Sequence, residues 1–382
     1  MVRRSAARWF VDVCAVETRI AKLIGERLVS LKIIPHVMPG LARPQVGDIY
    51  LVRVAKSARG MSGLFVDLGE GGEGLLRTKE TSPEGEFVLA RVTQSAYGSK
   101  RTVLKLEKAT AFELEGERRA RRLSPPMSAA QYLAARRLEG EVISVDSDEA
   151  WRGPPSADNA EIGLFERDNI EAQIEAALDP VVVLPCGGRL IIEQTQALTA
   201  IDVDAGTAAR VGDVNAQAAA EVAYQVAVRG LAGNIVIDFA QINRAAELGA
   251  LKQRIAGAAA EIGVELRLGG AGRTGLLELQ RSRAEAPLAA LLSEGGVTHS
   301  AVPVRWSLEA QAARLARAVR LASARMPGAL ELHIGVPLGD WLRAAGRPAW
   351  EAIVEASPAP LHLIADGLDD GVAVERSRRS AR

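Results

Sequence analysis

Two aspartates stand at the ends of apolar runs. Asp202 lies in Ile201-Asp202-Val203-Asp204, and Asp238 in Ile235-Val236-Ile237-Asp238-Phe239. Both runs read as buried strands, with each carboxylate at the C-terminal end. The alanine-rich stretch from Ala216 to Val228 between them reads as a helix. If the strands are parallel neighbours, a right-handed crossover brings both C-terminal ends to one edge of the sheet. Open α/β sheets bind ligands at that edge. Period-two alternation puts Asp204 on the same face as Asp202. Unpaired carboxylates are costly to bury, so three converging acids imply a cation. An all-oxygen donor set suits Mg²⁺, with Mn²⁺ as the substitute ion. Such an ion polarises a phosphodiester and activates water for in-line attack. From pattern alone, strand-end aspartates that cap helices or pair with arginine are an equal alternative.

Other chemistries find less support. His36, His299, His333 and His362 are dispersed and show no helical metal spacing. Gly69-Glu70-Gly71-Gly72-Glu73-Gly74 lacks the Gly-Lys-Ser/Thr ending of a phosphate loop and reads as a hairpin turn. The only cysteines, Cys14 and Cys186, form no Cys-x-x-Cys pair. Neither a structural zinc nor a disulfide framework is expected.

The elements around the aspartates fall into several domains. The chain has 382 residues, 48% of them hydrophobic, which suits two or three folded cores. Lys+Arg and Asp+Glu both number 47, so a uniformly basic nucleic-acid binder is disfavoured. Aromatic content is 4%, low for a protein that would stack bases. No apolar stretch reaches the roughly 18–20 residues of a membrane span, and the N-terminus lacks a signal-peptide core, so a cytoplasmic location is expected. Short strands at Ile49–Val54, Gly63–Leu68, Leu75-Leu76, Phe87–Val92 and Thr102–Leu106 read as a small β-barrel. A basic stretch from Arg118 to Arg137 and an acidic stretch from Glu139 to Glu149 follow. From Val181 onward strands alternate with helices, including a helix at Ala245–Ile262 and a strand at Val264–Leu268. A helix at Leu308–Ala324, strands at Leu330–Ile334 and Leu361–Ile364, and an Arg/Ser tail complete the chain.

The block from Gly187 to Arg283 resembles the ribonuclease E/G family. The resemblance rests on Gly187-Gly188-Arg189 through Ile201-Asp202-Val203, on Leu231 through Phe239, and on Gly275-Leu276-Leu277-Glu278-Leu279-Gln280-Arg281-Ser282-Arg283. In the barrel, Phe65-Val66-Asp67-Leu68-Gly69 and Tyr97-Gly98-Ser99-Lys100 are similar to an S1-type RNA-binding domain. The fold this implies is multi-domain α+β. An S1-type OB-fold barrel (46–108) would be inserted in an RNase H-like subdomain (1–45 and 138–180). An Arg-rich connector (109–137), a DNase I-like α/β catalytic subdomain (181–290), a small α/β C-terminal domain (291–376) and a basic tail (377–382) complete it.

The resemblance implies hydrolysis of single-stranded RNA to 5′-phosphate and 3′-hydroxyl ends. Asp202 and Asp238 match the metal-binding, catalytic aspartates, and Phe65 and Lys100 match RNA-contacting positions. Asp204 stands where the family usually carries Asn, and we count it as a third metal ligand. The chain also departs from the pattern. It has no Val-Arg-Thr-Ala sequence of a 5′-end sensor and no cysteine between Ala286 and His299, so an oligomer held by a zinc link is not expected. Leu75 replaces a stacking aromatic, and Gln241 an acid. These departures describe a reduced member that cleaves independently of the 5′ end. They also leave open an RNA-binding protein with little catalysis.

Overall fold

The computed structural model describes residues 7–37, 43–58, 62–108, 119–125, 127–146, 163–242, 245–271, 275–296, 304–367 and 370–377. Arg118, the expected loop at 151–155 and most of the basic tail lie outside them. The fold is mixed α+β and divides into two compact units. The smaller comprises Gly40–Ser128 with Arg283–Ala286, and the larger the rest of the chain. Among the described residues, no helix is long and apolar enough to cross a membrane.

The smaller unit is a five-stranded barrel. Its strands are Ile49–Ser57, Leu64–Asp67, Glu73–Arg77, Phe87–Gln94 and Thr102–Leu106. The third pairs in parallel with the fifth, and antiparallel pairing of the first with the second and fourth closes the ring. Alternation sends Val52, Val54, Leu64, Val66, Leu76, Ala90, Val92 and Leu104 inward. A Cβ on Gly74 would meet Leu104 Cδ1 at 2.6 Å and Leu68 Cδ1 at 2.9 Å, so both leucines pack directly over this position. Arg121–Arg122, from the expected connector, adds a short strand beside Tyr50 and Leu51.

The larger unit holds three sheets. In the first, Val142–Val145 pairs in parallel with Ala7–Val13, and Glu17–Ile24 and Arg27–Pro35 extend it antiparallel. This joins the N-terminal segment to the one beyond the barrel. The second runs Val181–Val183, Arg189–Gln194, Leu198–Asp204, Gly233–Asp238, Leu277–Arg281, Arg267–Ala271. The third is Leu361–Ala365, Leu330–Ile334, Val372–Arg376.

In the second sheet only Leu198–Asp204 and Gly233–Asp238 are parallel, joined by the helix Val211–Val228. That helix packs with Leu251 and Ile255 of the helix Ala245–Ile262 on inward residues such as Ile201 and Ile237. The alternation expected from sequence therefore gives one βαβ crossover followed by antiparallel strands. The strand expected at Val264–Leu268 starts at Arg267. Gly263 (φ 73°) ends the preceding helix, and the Val264 N–H bonds back to the Ala259 carbonyl at 2.9 Å. Val264 and Leu266 thus seal the helix end. The strands Leu277–Arg281 and Val372–Arg376 were not foreseen, the latter because its half-exposed, charge-ended pattern resembles a tail.

A buried ion cluster ties the first sheet to the helix Leu308–Arg325. Asp12, 1% exposed, accepts from Arg19 Nε and Nη2 at 2.8 and 2.6 Å, Arg317 Nε at 2.7 Å and Arg320 Nη2 at 2.8 Å. Asp146, also 1% exposed, accepts from Arg320 Nη2 and the Gly163 N–H, both at 2.8 Å. Arg317 also reaches Glu17, and Arg19 reaches Glu171. Burial alone would raise the Asp12 carboxyl, but Arg19, then Arg317 and Arg320, hold it well below the usual range. At Asp146 burial outweighs Arg320, and the carboxyl is pushed up.

Asp12, depressed, contributes stability that is present above its unfolded pKa of about 3.9 and lost only as pH falls through the lower folded value. Asp146, raised, works in the opposite sense and opposes folding once ionised. Arg320→Met leaves both carboxylates short of a partner. It should lower stability by about 3–5 kcal/mol in urea unfolding at pH 7, followed by circular dichroism. Asp12→Asn should move the acid-unfolding midpoint to higher pH.

Candidate active site

Asp202 and Asp238 are direct register partners across the parallel strand pair. Their chain neighbours Ile201, Val203 and Ile237 are buried against the helices, so alternation sends both carboxylates out from the uncovered face. Both are exposed, and no arginine or lysine pairs with either among the described residues. Partial burial, then the charges of Asp238 and Asp204, push the Asp202 carboxyl above its usual range. Two adjacent carboxylates, neither ion-paired to an arginine or lysine among the described residues, fit a hard divalent ion.

Asp204 is engaged differently. Its Oδ2 accepts from Arg189 Nε at 2.9 Å and Nη2 at 2.6 Å, and its Oδ1 accepts from the Gly206 N–H at 2.9 Å. The Gly206 hydrogen bond, then Arg189, hold it below the usual carboxylate range. Arg189 is its register partner on the neighbouring strand. Among the described residues, no three His, Cys, Asp or Glu side chains are grouped to hold a metal. Of the expected trio of acids, Asp202 and Asp238 are register partners, and Asp204 forms an ion pair with Arg189, whose Nε and Nη2 converge on its Oδ2.

The supports beneath the pair were not read from the sequence. Asn215, on the buried face of the helix Val211–Val228, donates to the Ala240 carbonyl at 2.7 Å and accepts from the Ala240 N–H at 3.1 Å. This fixes the chain two residues after Asp238. Gln241 follows in a left-handed conformation (φ 44°), which closes the turn. On the other side the Cys186 N–H bonds to Gln217 Oε1 at 3.1 Å. A Cβ on Gly188 would lie 2.6 Å from Val214 Cγ1, so only glycine lets this turn approach the helix. The available signal for Asn215 was a polar residue flanked by Val214 and Ala218 on an otherwise apolar helix face.

On the barrel, Phe65 is half-buried in a row Lys56–Phe65–Leu75–Val103 across adjacent strands. Lys56 Nζ lies 5.7 Å and the Arg101 guanidinium 5.3 Å from the Phe65 ring centroid. Lys100 makes a backbone bridge with Tyr97, and it is not among the cations over the ring. Leu75 is 8% exposed. Lys56 and Arg101 were missed, although strand alternation places Lys56 level with the aromatic.

The paired strand-end carboxylates lie on a helix-backed sheet, in a chain that also carries a small β-barrel. Residues 155–284 match the model of the Ribonuclease E/G family. The matched block contains both aspartates, Arg189 and Asn215. Ribonuclease E of Escherichia coli (strain K12) is 39% identical over 130 residues, covering 32% of this chain and 12% of the relative. Ribonuclease E of Nostoc is 45% identical over 83 residues, covering 20% and 12%. Ribonuclease G of Haemophilus influenzae is 31% identical over 140 residues, covering 34% and 28%. The chain therefore spans well under a third of the length of each of these relatives.

Asn215→Ala should cost about 1–3 kcal/mol through the two backbone groups it leaves unsatisfied, read by thermal unfolding. Asp238→Asn removes like-charge repulsion instead. It should raise the melting temperature in metal-free buffer by about 1–3 °C.

Proposed function

We propose that this chain is a Mg²⁺-dependent endoribonuclease that cuts single-stranded RNA to 5′-phosphate and 3′-hydroxyl ends, independently of the RNA 5′ end. The observation that carries the reading is the in-register Asp202–Asp238 pair, exposed and ion-paired to no arginine or lysine among the described residues. These two residues would hold the ion, which supplies charge stabilisation at the phosphate and a more acidic water. Asn215 keeps Asp238 in place through Ala240. Arg189 offsets part of the charge of Asp204, which weakens the repulsion the extra acid would exert on an approaching phosphate. This supports catalysis over RNA binding alone.

The barrel supports the RNA assignment. Its closing order is that of an OB-fold. Phe65 offers a stacking face, Lys56 and Arg101 sit against it, and Lys100 remains a candidate phosphate contact. The first sheet of the larger unit corresponds to the RNase H-like subdomain, the second to the DNase I-like catalytic subdomain and the third to the small domain. Independence from the 5′ end is supported by the short interval between the barrel and Val142, which holds only Arg121–Arg122 and the helix Ala129–Arg136 among its described elements.

The test is cleavage of a short A/U-rich RNA carrying either a 5′-monophosphate or a 5′-hydroxyl. Both should be cut at similar rates with Mg²⁺. Asp202→Asn and Asp238→Asn should each lose on the order of a hundredfold or more in rate while still binding RNA. Binding without cleavage under any divalent ion would overturn the enzyme reading, and a strong monophosphate preference would overturn 5′ independence. Arg189→Ala should slow cleavage about tenfold, and adding Asp204→Asn should restore most of that loss, the coupling expected of a compensating pair.

A further inference from the structure

The uncovered face of the catalytic sheet continues away from the aspartates. Register lays successive rows across it. The first is Asp202–Asp238, the second Ala200–Val236–Glu278 and the third Leu198–Asn234–Gln280–Arg267. Val236 and Glu278 of the second row and all of the third line a groove of about 470 Å³. Gly269 lines it too, and a Cβ there would press to 3.1 Å from Glu278. Asn234, Glu278, Gln280 and Arg267 are all exposed. Among the described residues, neither Arg267 nor Glu278 has an ion-pair or hydrogen-bond partner for its side chain.

The third row has a specific hydrogen-bonding character. Gln280 Nε2 donates to Asn234 Oδ1 at 3.4 Å. That leaves the Asn234 amide donors and the Gln280 carbonyl available on two side chains that line the groove. A donor beside an acceptor matches the edge of a nucleobase. Glu278 accepts only, so it favours a base with an exocyclic amino group and repels a phosphate. Bases would therefore face the sheet, with the backbone turned toward Arg267 at the outer strand. The four residues from Asp238 back to Asn234 span about 13 Å, room for about two nucleotides of an extended strand.

We infer that Asn234, Glu278, Gln280 and Arg267 form a base-reading subsite for RNA, about two nucleotides from the bond held at the aspartates. This rests on the endoribonuclease reading, and it adds a source of sequence preference that does not depend on aromatic stacking. Arg267 takes the phosphate of that nucleotide, and the amide pair with Glu278 takes its base.

The test uses the full chain and RNAs with one cleavable bond, either extended on both sides or truncated on one side or the other. Arg267→Ala and Gln280→Ala are compared with wild type. Both side chains are exposed, and circular dichroism checks that the variants fold. Each variant should raise KM about tenfold on the extended RNA, leave kcat unchanged, and have no effect on the RNA lacking the subsite nucleotides. Gln280→Ala should also relax base preference at that position. Binding of the same RNAs in metal-free buffer, followed by fluorescence anisotropy, provides a readout without catalysis. Equal losses on extended and truncated RNAs, or no loss on either, would overturn the subsite. So would a change in sedimentation with RNA binding intact, which would make this face an interface between copies. If wild type cuts no RNA but the variants weaken binding of extended RNA alone, the endonuclease reading fails and the subsite stands.

Discussion

The parallel pairing of Leu198–Asp204 with Gly233–Asp238 is the constraint on which the rest of the site depends. A crossover helix fixes which ends coincide, and register sets Asp202 beside Asp238. Burial of the alternate residues under two helices then sends both carboxylates to the opposite face. Among the described residues, no arginine or lysine forms an ion pair with either of them. The fold holds two like charges together, and a bound cation is the simplest relief.

The first sheet offers an internal contrast. Asp146 directly follows Val145, the register partner of Val11, and its N–H bonds to the Val11 carbonyl at 2.8 Å, so it stands beside Asp12 on another parallel pair. The backbone logic is the same as at Asp202 and Asp238. Here, however, three arginines occupy the space between and around the acids, and burial is nearly complete. One carboxylate pair is closed by the protein's own cations and holds the unit together. The other is left open to solvent. Arg189 and Asp204 lie between these cases, an exposed acid matched by one arginine.

The sequence made the strands around Asp202 and Asp238 legible because their apolar runs are short and bounded by turns. The barrel was legible for the same reason. The partner of Asp204 was not, because Arg189 precedes it by a hairpin and cross-strand pairing depends on register. Asn215 was hidden because helix periodicity reports burial and not the carbonyl a side chain reaches. The cations over Phe65 were missed because the resemblance directed attention to Lys100. Alternation in the strand Ile49–Ser57 already contained Lys56. Strand Val372–Arg376 was lost among charged residues whose half-exposed alternation makes a weak signal.

The Asp12 cluster has a consequence for how the chain is made. Asp12 and its partner Arg317 are 305 residues apart. At roughly 5–20 residues per second, synthesis separates them by roughly 15–60 s. During that interval the first sheet carries a carboxylate that can be buried only against Arg19. The first sheet therefore cannot reach its final packing until the helix Leu308–Arg325 has been made. The helix Leu308–Arg325 acts as a late closure, and until it emerges the N-terminal hairpin must stay partly hydrated or be held by another factor.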